Sequence, residues 1–176
     1  MRTFRDLYMT IDASGEARDK LRKFNLSQAE GGKAKSVKNL ALSLGFSVRV
    51  LKLPAGMAGR LVRDAFSDNG FEIQVNETQT RESQRWAVLH EMGHYFLRHV
   101  DRSDYLAVDM FLDRSSRAFY VNDNEEREAN EFAAIILYGD GALEAAKSLH
   151  GADVQNLARV FGVSTRSIEI AFKQFT

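Results

Sequence analysis

The sequence predicts an α+β fold that is rich in helices, with a small three-stranded antiparallel sheet and a group of C-terminal helices. Three short runs of alternating apolar residues lie between positions 46 and 75, which is typical of strands. Apolar residues at helical spacing fill most of the remaining chain, and glycines separate the segments. With 176 residues, 44% of them hydrophobic, the chain is long enough to bury one ordinary core.

The first 35 residues are predicted to form a helical arm and a linker. The arm reaches Leu26, and residues 28–35 have the small, polar composition of a mobile joint around Gly31 and Gly32. Ser36 then caps a helix with one apolar face, and Gly45 ends that helix.

The predicted strands occupy residues 46–53, 59–66 and 71–75. Pro54 closes the first of them, because proline cannot donate a ladder hydrogen bond. The pair Asn69-Gly70 favours a tight hairpin between the second and third. Three short strands at this spacing predict the antiparallel sheet.

The second half of the chain is predicted to be helical. A long helix begins near Thr80 and runs to about Val100, whereas residues 101–124 are interpreted as a loop with short structure. Further helices are expected at 125–138, 142–149, 153–161 and 164–175. We therefore expect three parts: an arm with its linker at 1–35, a core at 36–138, and a C-terminal helical extension packed on the core at 139–176.

Composition excludes several kinds of site and partner. Twenty-four basic and 24 acidic residues cancel, so no overall field attracts nucleic acid or an anionic membrane. The absence of cysteine excludes disulfides and thiolate metal sites, and leaves His, Asp and Glu as the strong metal ligands. No signal peptide or membrane span is apparent, which predicts a cytoplasmic protein without a membrane partner.

The run His90-Glu91-Met92-Gly93-His94 points to metal chemistry. Residues four apart share one side of a helix, so His90 and His94 converge on a single ion. Glu91 is offset from them, which directs its carboxylate to a water on the ion and suits a general base. Gly93 removes the side chain that would keep a second helix away. Two half-buried histidines with ordinary hydrogen bonds are the alternative, but the context favours the metal.

A catalytic zinc needs a third protein ligand, and we assign it to Glu126. The face that contains Glu126 continues through small alanines, which let its helix lie close to the histidine helix. Asn130, one turn further on, is placed to accept the free ring N–H of a liganding histidine. The neighbouring acidic residues are less suited: Glu125 lies off this face, and Glu128 and Glu131 are interpreted as solvated helix surface.

His99 is also interpreted as surface or structural, because five residues beyond His94 a helix has rotated it off the ligand face. Together with Tyr95 and Tyr120, it is nonetheless a candidate to stabilise an oxyanion.

These segments resemble the ImmA/IrrE-type metallopeptidases, within the gluzincin group of zinc peptidases. The stretches that carry the resemblance are residues 70–76, 84–95 and 126–134. By this resemblance Glu126 is the third zinc ligand and Glu91 the catalytic base. The end of the helix predicted at 125–138 differs from the family. Its members usually have a Leu-Met-Pro type sequence where this chain has residues 136–140.

The resemblance implies a zinc-dependent endopeptidase that uses a metal-activated water to cut a specific partner protein. In this family the partner is typically a helix-turn-helix repressor of a mobile element or a stress response, so the peptidase acts in transcription regulation. An alternative function is a regulatory or toxin-antitoxin-type binding module that has a metal site but little peptidase activity.

A third function, DNA binding, is raised by residues 157–168, which resemble a helix-turn-helix. A DNA reader would expose Thr165, Arg166 and Glu169 there, with little positive charge nearby. We therefore interpret this helix pair as packing on the peptidase body or lining its substrate cleft, and expect no direct nucleic-acid binding.

Overall fold

The computed structural model describes residues 3–27, 33–101 and 123–175. Within these ranges the fold is α+β, as predicted, with eight α-helices, one short 3-10 helix (His99–Asp101) and one three-stranded sheet. In chain order the elements are α1 (Phe4–Thr10), α2 (Gly15–Leu26), α3 (Val37–Ser43), β1 (Ser47–Leu51), β2 (Gly59–Arg63), β3 (Phe71–Asn76), α4 (Arg81–Phe96), α5 (Asp123–Tyr138), α6 (Ala142–His150), α7 (Val154–Phe161) and α8 (Thr165–Phe175). The predicted joint at Gly31 and Gly32 lies outside the described residues, as does most of the loop predicted at 101–124.

Short polar side chains fix where the helices begin. Ser36, Thr80 and Asp153 each accept a hydrogen bond from the backbone N–H three residues further on. Ser164 does the same for Ser167 at the start of α8. Each bond satisfies a backbone donor that has no partner within the helix. The helix starts predicted at these four positions are confirmed.

The sheet is mixed, and the antiparallel prediction is wrong for one of its two strand pairs. The strand order is β1-β3-β2, in which β1 runs parallel and β2 antiparallel to the central β3. β2 and β3 form the predicted hairpin, and Gly70 donates its N–H to the carbonyl of Ser67 in the predicted turn, but the connection is not a tight one. Asp64 donates its N–H to the carbonyl of Gly70 at 2.9 Å, so residues 65–69 form a longer loop. Asn69 donates its N–H to the carbonyl of Gly45 at 3.1 Å, which ties this loop to the end of α3.

The close packing of α4 on α5 depends on Gly93. A Cβ atom at this position would lie 3.0 Å from the backbone Cα and oxygen of Ala129, and 3.2 Å from the Cβ of Phe132. Ala129 and Ala133 are themselves fully buried. The small residues on both helices therefore let the two backbones approach closely. The other side of α4 packs on the sheet, so α4 is covered on two sides.

The terminal elements join the same core. Phe4 and Leu21, from α1 and α2, are fully buried in it. Asn25 of α2 donates its side-chain amide to the carbonyl of Gly139 at 3.1 Å, near the end of α5. At the other terminus, Ser167 of α8 lies 2.8 Å from the hydroxyl of Tyr138. Both ends of the described chain are therefore held against α5. No helix in the described residues is long and apolar enough to cross a membrane.

Replacing Gly93 with alanine should destabilise the protein. The added methyl group meets backbone atoms of Ala129 that cannot rotate away, and overpacking of this kind costs about 1–3 kcal/mol. Gly15→Ala is the matched control, because a Cβ at Gly15, in the first turn of α2, meets no atom within 4 Å. That control should stay within about 1 kcal/mol of wild type. Urea unfolding of both variants measures the difference, and equal stabilities would contradict the packing argument.

Candidate metal centre

Two helices bring His90, His94 and Glu126 together. The Nε2 atoms of His90 and His94 are 3.0 Å apart across one turn of α4. The carboxylate of Glu126, from the first turns of α5, lies 3.1 Å from the Nε2 atom of His90 and 3.3 Å from that of His94. One ligand atom from each residue lies within 4.8 Å of the other two. The three residues assigned as ligands from the sequence therefore form one compact cluster.

The spacing of these atoms fits a tetrahedral metal ion. Zinc binds imidazole nitrogen and carboxylate oxygen at about 2.0–2.2 Å, so two ligand atoms on a tetrahedral ion lie about 3.3–3.6 Å apart. The three separations of 3.0, 3.1 and 3.3 Å are near or slightly below this range. Two imidazole nitrogens and one carboxylate are also a donor set that divalent transition metals favour. The residues present therefore fit a metal site.

Electrostatics within the cluster keep Glu126 negatively charged. Hydrogen bonds to His90 and His94 hold the pKa of its carboxyl well below the usual range. Burial alone would lower the pKa of His90, but the hydrogen bond to Glu126 and the nearby charge of Glu91 outweigh burial and raise it. The charged carboxylate of Glu126 thus faces two imidazole Nε2 atoms, and a cation bound among these three groups would replace the protons that they share.

The outward nitrogen of His90 meets Asn130. The side-chain oxygen of Asn130 lies 3.1 Å from the Nδ1 atom of His90 and also accepts a hydrogen bond of 3.1 Å from the indole of Trp86. Because an amide oxygen only accepts, this contact places the proton of His90 on Nδ1 and leaves the Nε2 lone pair for the centre. The arrangement is the one expected for Asn130 from the sequence.

The outward nitrogen of His94 meets His99, which the helical spacing did not predict. His99 is fully buried, with its Nδ1 atom 2.9 Å from the Nδ1 of His94 and its Nε2 atom 3.0 Å from the carboxylate of Glu128. The surface alternative for His99 is therefore wrong, and Glu128, interpreted from the sequence as solvated helix surface, is half-buried and paired with His99. The reason is local: α4 ends at Phe96 rather than near Val100, because Arg98 adopts a positive φ of 59°.

That break turns the chain, so the helical rotation assumed for His99 does not apply. A signal for it exists in the sequence, since three of the four histidines lie within ten residues.

Glu91 lies beside the cluster at the wall of a large cleft. Its side chain is buried, with 2% of its surface exposed. The cleft has a volume of about 1440 Å³ and also contacts His90 and Glu126. Gly59, the first residue of β2, also lines the cleft and lies directly beside Glu91, because an added Cβ would be 3.7 Å from the Cγ of Glu91. Glu91 is thus placed where a group bound in the cleft meets the proposed ligands.

The second helix of the C-terminal pair, α8, and the turn before it line the far part of this cleft. α8 contributes Arg166, Ser167, Ile170 and Gln174 to the wall. Arg166 also lies 3.4 Å from Glu169, so two of the three residues that a DNA reader would present are paired with each other. α8 therefore agrees with the interpretation that the helix pair lines a cleft, whereas no described residue of α7 is part of the lining.

Neither Tyr95 nor His99 is among the described residues that line the cleft. Tyr95 packs its ring against Phe46 and Phe71, with ring centroids 4.9 and 5.3 Å apart. Tyr120, the third candidate for an oxyanion contact, lies outside the described residues.

Comparison with protein families gives one match that covers most of the chain. The model of a peptidase family, described as the IrrE N-terminal-like domain, matches residues 44–173. The matched range contains β2, α4, α5 and all but the last two residues of α8, the elements that line the cleft. No curated protein matches the chain. The resemblance found in the sequence is confirmed, and the chain belongs to the peptidase family of the IrrE N-terminal-like domain.

Proposed function

We propose that the protein is a zinc-dependent endopeptidase, with His90, His94 and Glu126 as metal ligands and Glu91 as general base. The observation that carries the proposal is the compact ligand cluster at the wall of a cleft, beside a buried glutamate. Membership of a peptidase family supports hydrolysis of a peptide bond. The donor set of two imidazoles and one carboxylate supports zinc as the ion.

A zinc ion held by these residues supplies Lewis-acid polarisation of the peptide carbonyl and of a water molecule. Glu91 supplies the proton transfers. Its carboxylate takes a proton from the attacking water and then delivers it to the amine that leaves. The outward contact of His90 with Asn130 keeps the imidazole in the tautomer and orientation that a ligand needs.

The position of β2 supports binding of an extended peptide. Within the described sheet β2 is an edge strand that pairs only with β3. Gly59 and residues 55–58 before it line the same cleft as Glu91. A substrate that entered the cleft in an extended conformation would meet backbone donors and acceptors there, as in strand addition to a sheet edge.

We further propose that the substrate is one specific protein, a helix-turn-helix repressor. Membership of a peptidase family supports a protein substrate. The cleft continues past the proposed ligands along α8, which supports selectivity. Ile170 remains 42% exposed in this part of the wall, where it offers an apolar contact to the substrate.

Glu91→Gln should retain zinc and lose cleavage. Removing a general base lowers the rate by about 10²–10⁴-fold, whereas the ligand cluster stays intact. Glu82→Gln is the control, because Glu82 lines the same cleft in the first turn of α4. Turnover of a co-expressed repressor and of an unstructured protein, together with zinc content, measures both effects. Cleavage by Glu91→Gln at the wild-type rate would contradict the assignment of Glu91 as general base.

If the wild-type protein instead binds the repressor, retains zinc and never cuts it, the alternative of a metal-containing binding module is supported.

Glu126→Ala should lose the metal. Removing one of three protein ligands lowers zinc affinity by about a hundredfold or more, beyond the effect of losing an outer-shell partner. Glu125→Ala removes the neighbouring carboxylate on α5 and should keep full occupancy. Zinc content after dialysis against a mild chelator distinguishes the two. Full occupancy in Glu126→Ala with loss in Glu125→Ala would reassign the ligand.

Ile170→Asp should impair cleavage of the specific protein substrate but not of a short generic peptide. A charge in the far wall of the cleft disfavours an apolar contact there and leaves the metal cluster untouched, so KM for the protein substrate should rise about tenfold. Leu149→Asp is the control, since Leu149 is 57% exposed on α6, outside the cleft lining. Equal KM values for both variants would exclude α8 from substrate selection.

A further inference from the structure

We propose that His99 and Glu128 act as a positioning pair that fixes the proton of His94 and thereby strengthens metal binding. The inference rests on the metal site of the proposed function. It goes beyond that function, because neither residue is a proposed metal ligand or the proposed general base. His99 belongs to the 3-10 helix that follows α4, and Glu128 belongs to α5. The pair thus links the two helices that carry the proposed ligands.

The distances describe a continuous chain of three groups. From the centre outward, the Nδ1 atom of His94 lies 2.9 Å from the Nδ1 of His99. On the other side of the His99 ring, Nε2 lies 3.0 Å from the Oε2 atom of Glu128. Both distances lie within the range of ordinary hydrogen bonds.

Only one arrangement of protons is compatible with His94 as a ligand through Nε2. Its Nε2 must then be unprotonated, so the ring proton lies on Nδ1 and is donated to His99. His99 therefore accepts at Nδ1 and carries its own proton on Nε2, which it donates to the carboxylate of Glu128. Each bond in the chain fixes the direction of the next, and the carboxylate at the end favours electron donation towards the ligand nitrogen.

The alternative is a core histidine that only fills space. Two observations favour a positioning role. His99 is fully buried, and both of its ring nitrogens face polar atoms on different elements of the fold. In addition, the backbone reaches this position through Arg98 in the left-handed region, a conformation that is uncommon for a non-glycine residue. A space-filling role requires neither the paired nitrogens nor this turn.

The test measures zinc affinity of the full chain with zinc alone and a competing chelator. His99→Phe replaces the imidazole with a slightly larger apolar ring and leaves the N–H of His94 without an acceptor, so zinc should bind about 10–100-fold more weakly. His99→Asn retains a side-chain oxygen near the position of Nδ1 and should recover part of that loss. His150→Phe is the control, because His150 is exposed at the end of α6 and should bind zinc as the wild type does.

The outcomes separate this inference from the proposed function. Wild-type protein that binds no zinc overturns both proposals, whereas tight wild-type binding with unchanged affinity in folded His99→Phe overturns only the positioning pair. Circular dichroism establishes folding. Should His99→Phe fail to fold, Glu128→Leu removes the end of the chain from a half-buried position on α5. A roughly tenfold loss of affinity in that variant supports the inference, and an unchanged affinity overturns it.

Nitrogen NMR of the zinc-loaded protein reports which ring nitrogen of each histidine carries the proton. A histidine that only fills space does not require one particular tautomer. The proposal requires the proton on Nδ1 of His94 and on Nε2 of His99. The opposite tautomer of His99 would overturn it.

Discussion

The direct contact between the backbones of α4 and α5 is the constraint on which the candidate site depends. Gly93 sits between the two proposed histidine ligands in the sequence and rests on Ala129, three residues after Glu126. No side chain separates the helices at this point. The carboxylate of Glu126 therefore reaches both imidazoles at 3.1 and 3.3 Å. A wider helix spacing would place one protein ligand out of reach of a shared ion.

The contact between α4 and α5 also positions the residues that surround the proposed ligands. α5 supplies Glu126 to the centre, Asn130 to the outward nitrogen of His90, and Glu128 to the histidine behind His94. Two polar side chains of this helix thus contact the proposed histidine ligands directly, and the third contacts His94 through His99. Such contacts matter because imidazole has two nitrogens, and a ligand nitrogen is free only when the other one holds the proton. The helix contact that sets ligand spacing therefore also sets the tautomers.

Features that depend on local chemistry were predictable from the sequence. The histidine pair, the cap residues and the face of Glu126 each follow from helical spacing within a few residues. The sheet order did not follow, because β3 inserts between two strands that precede it, and strand alternation does not encode which strands pair. His99 was missed for a different reason. Spacing arguments assume a continuing helix, and a single residue with positive φ, Arg98, ends it.

α5 is long enough to connect the proposed metal site to the part of the cleft that we propose selects the substrate. Its cleft-facing residues recur at spacings of four from Glu126 through Asn130 and Ala134 to Tyr138, so the cleft follows the whole helix. Twelve residues of helix span about 18 Å, the length of roughly five to six residues of extended peptide. At the far end, burial raises the pKa of Tyr138 to about 12, and its hydroxyl meets Ser167 of α8. One rigid helix therefore carries a proposed ligand at its start and contacts α8 at its end, which fixes the distance between the proposed metal site and the part of the cleft proposed to select the substrate.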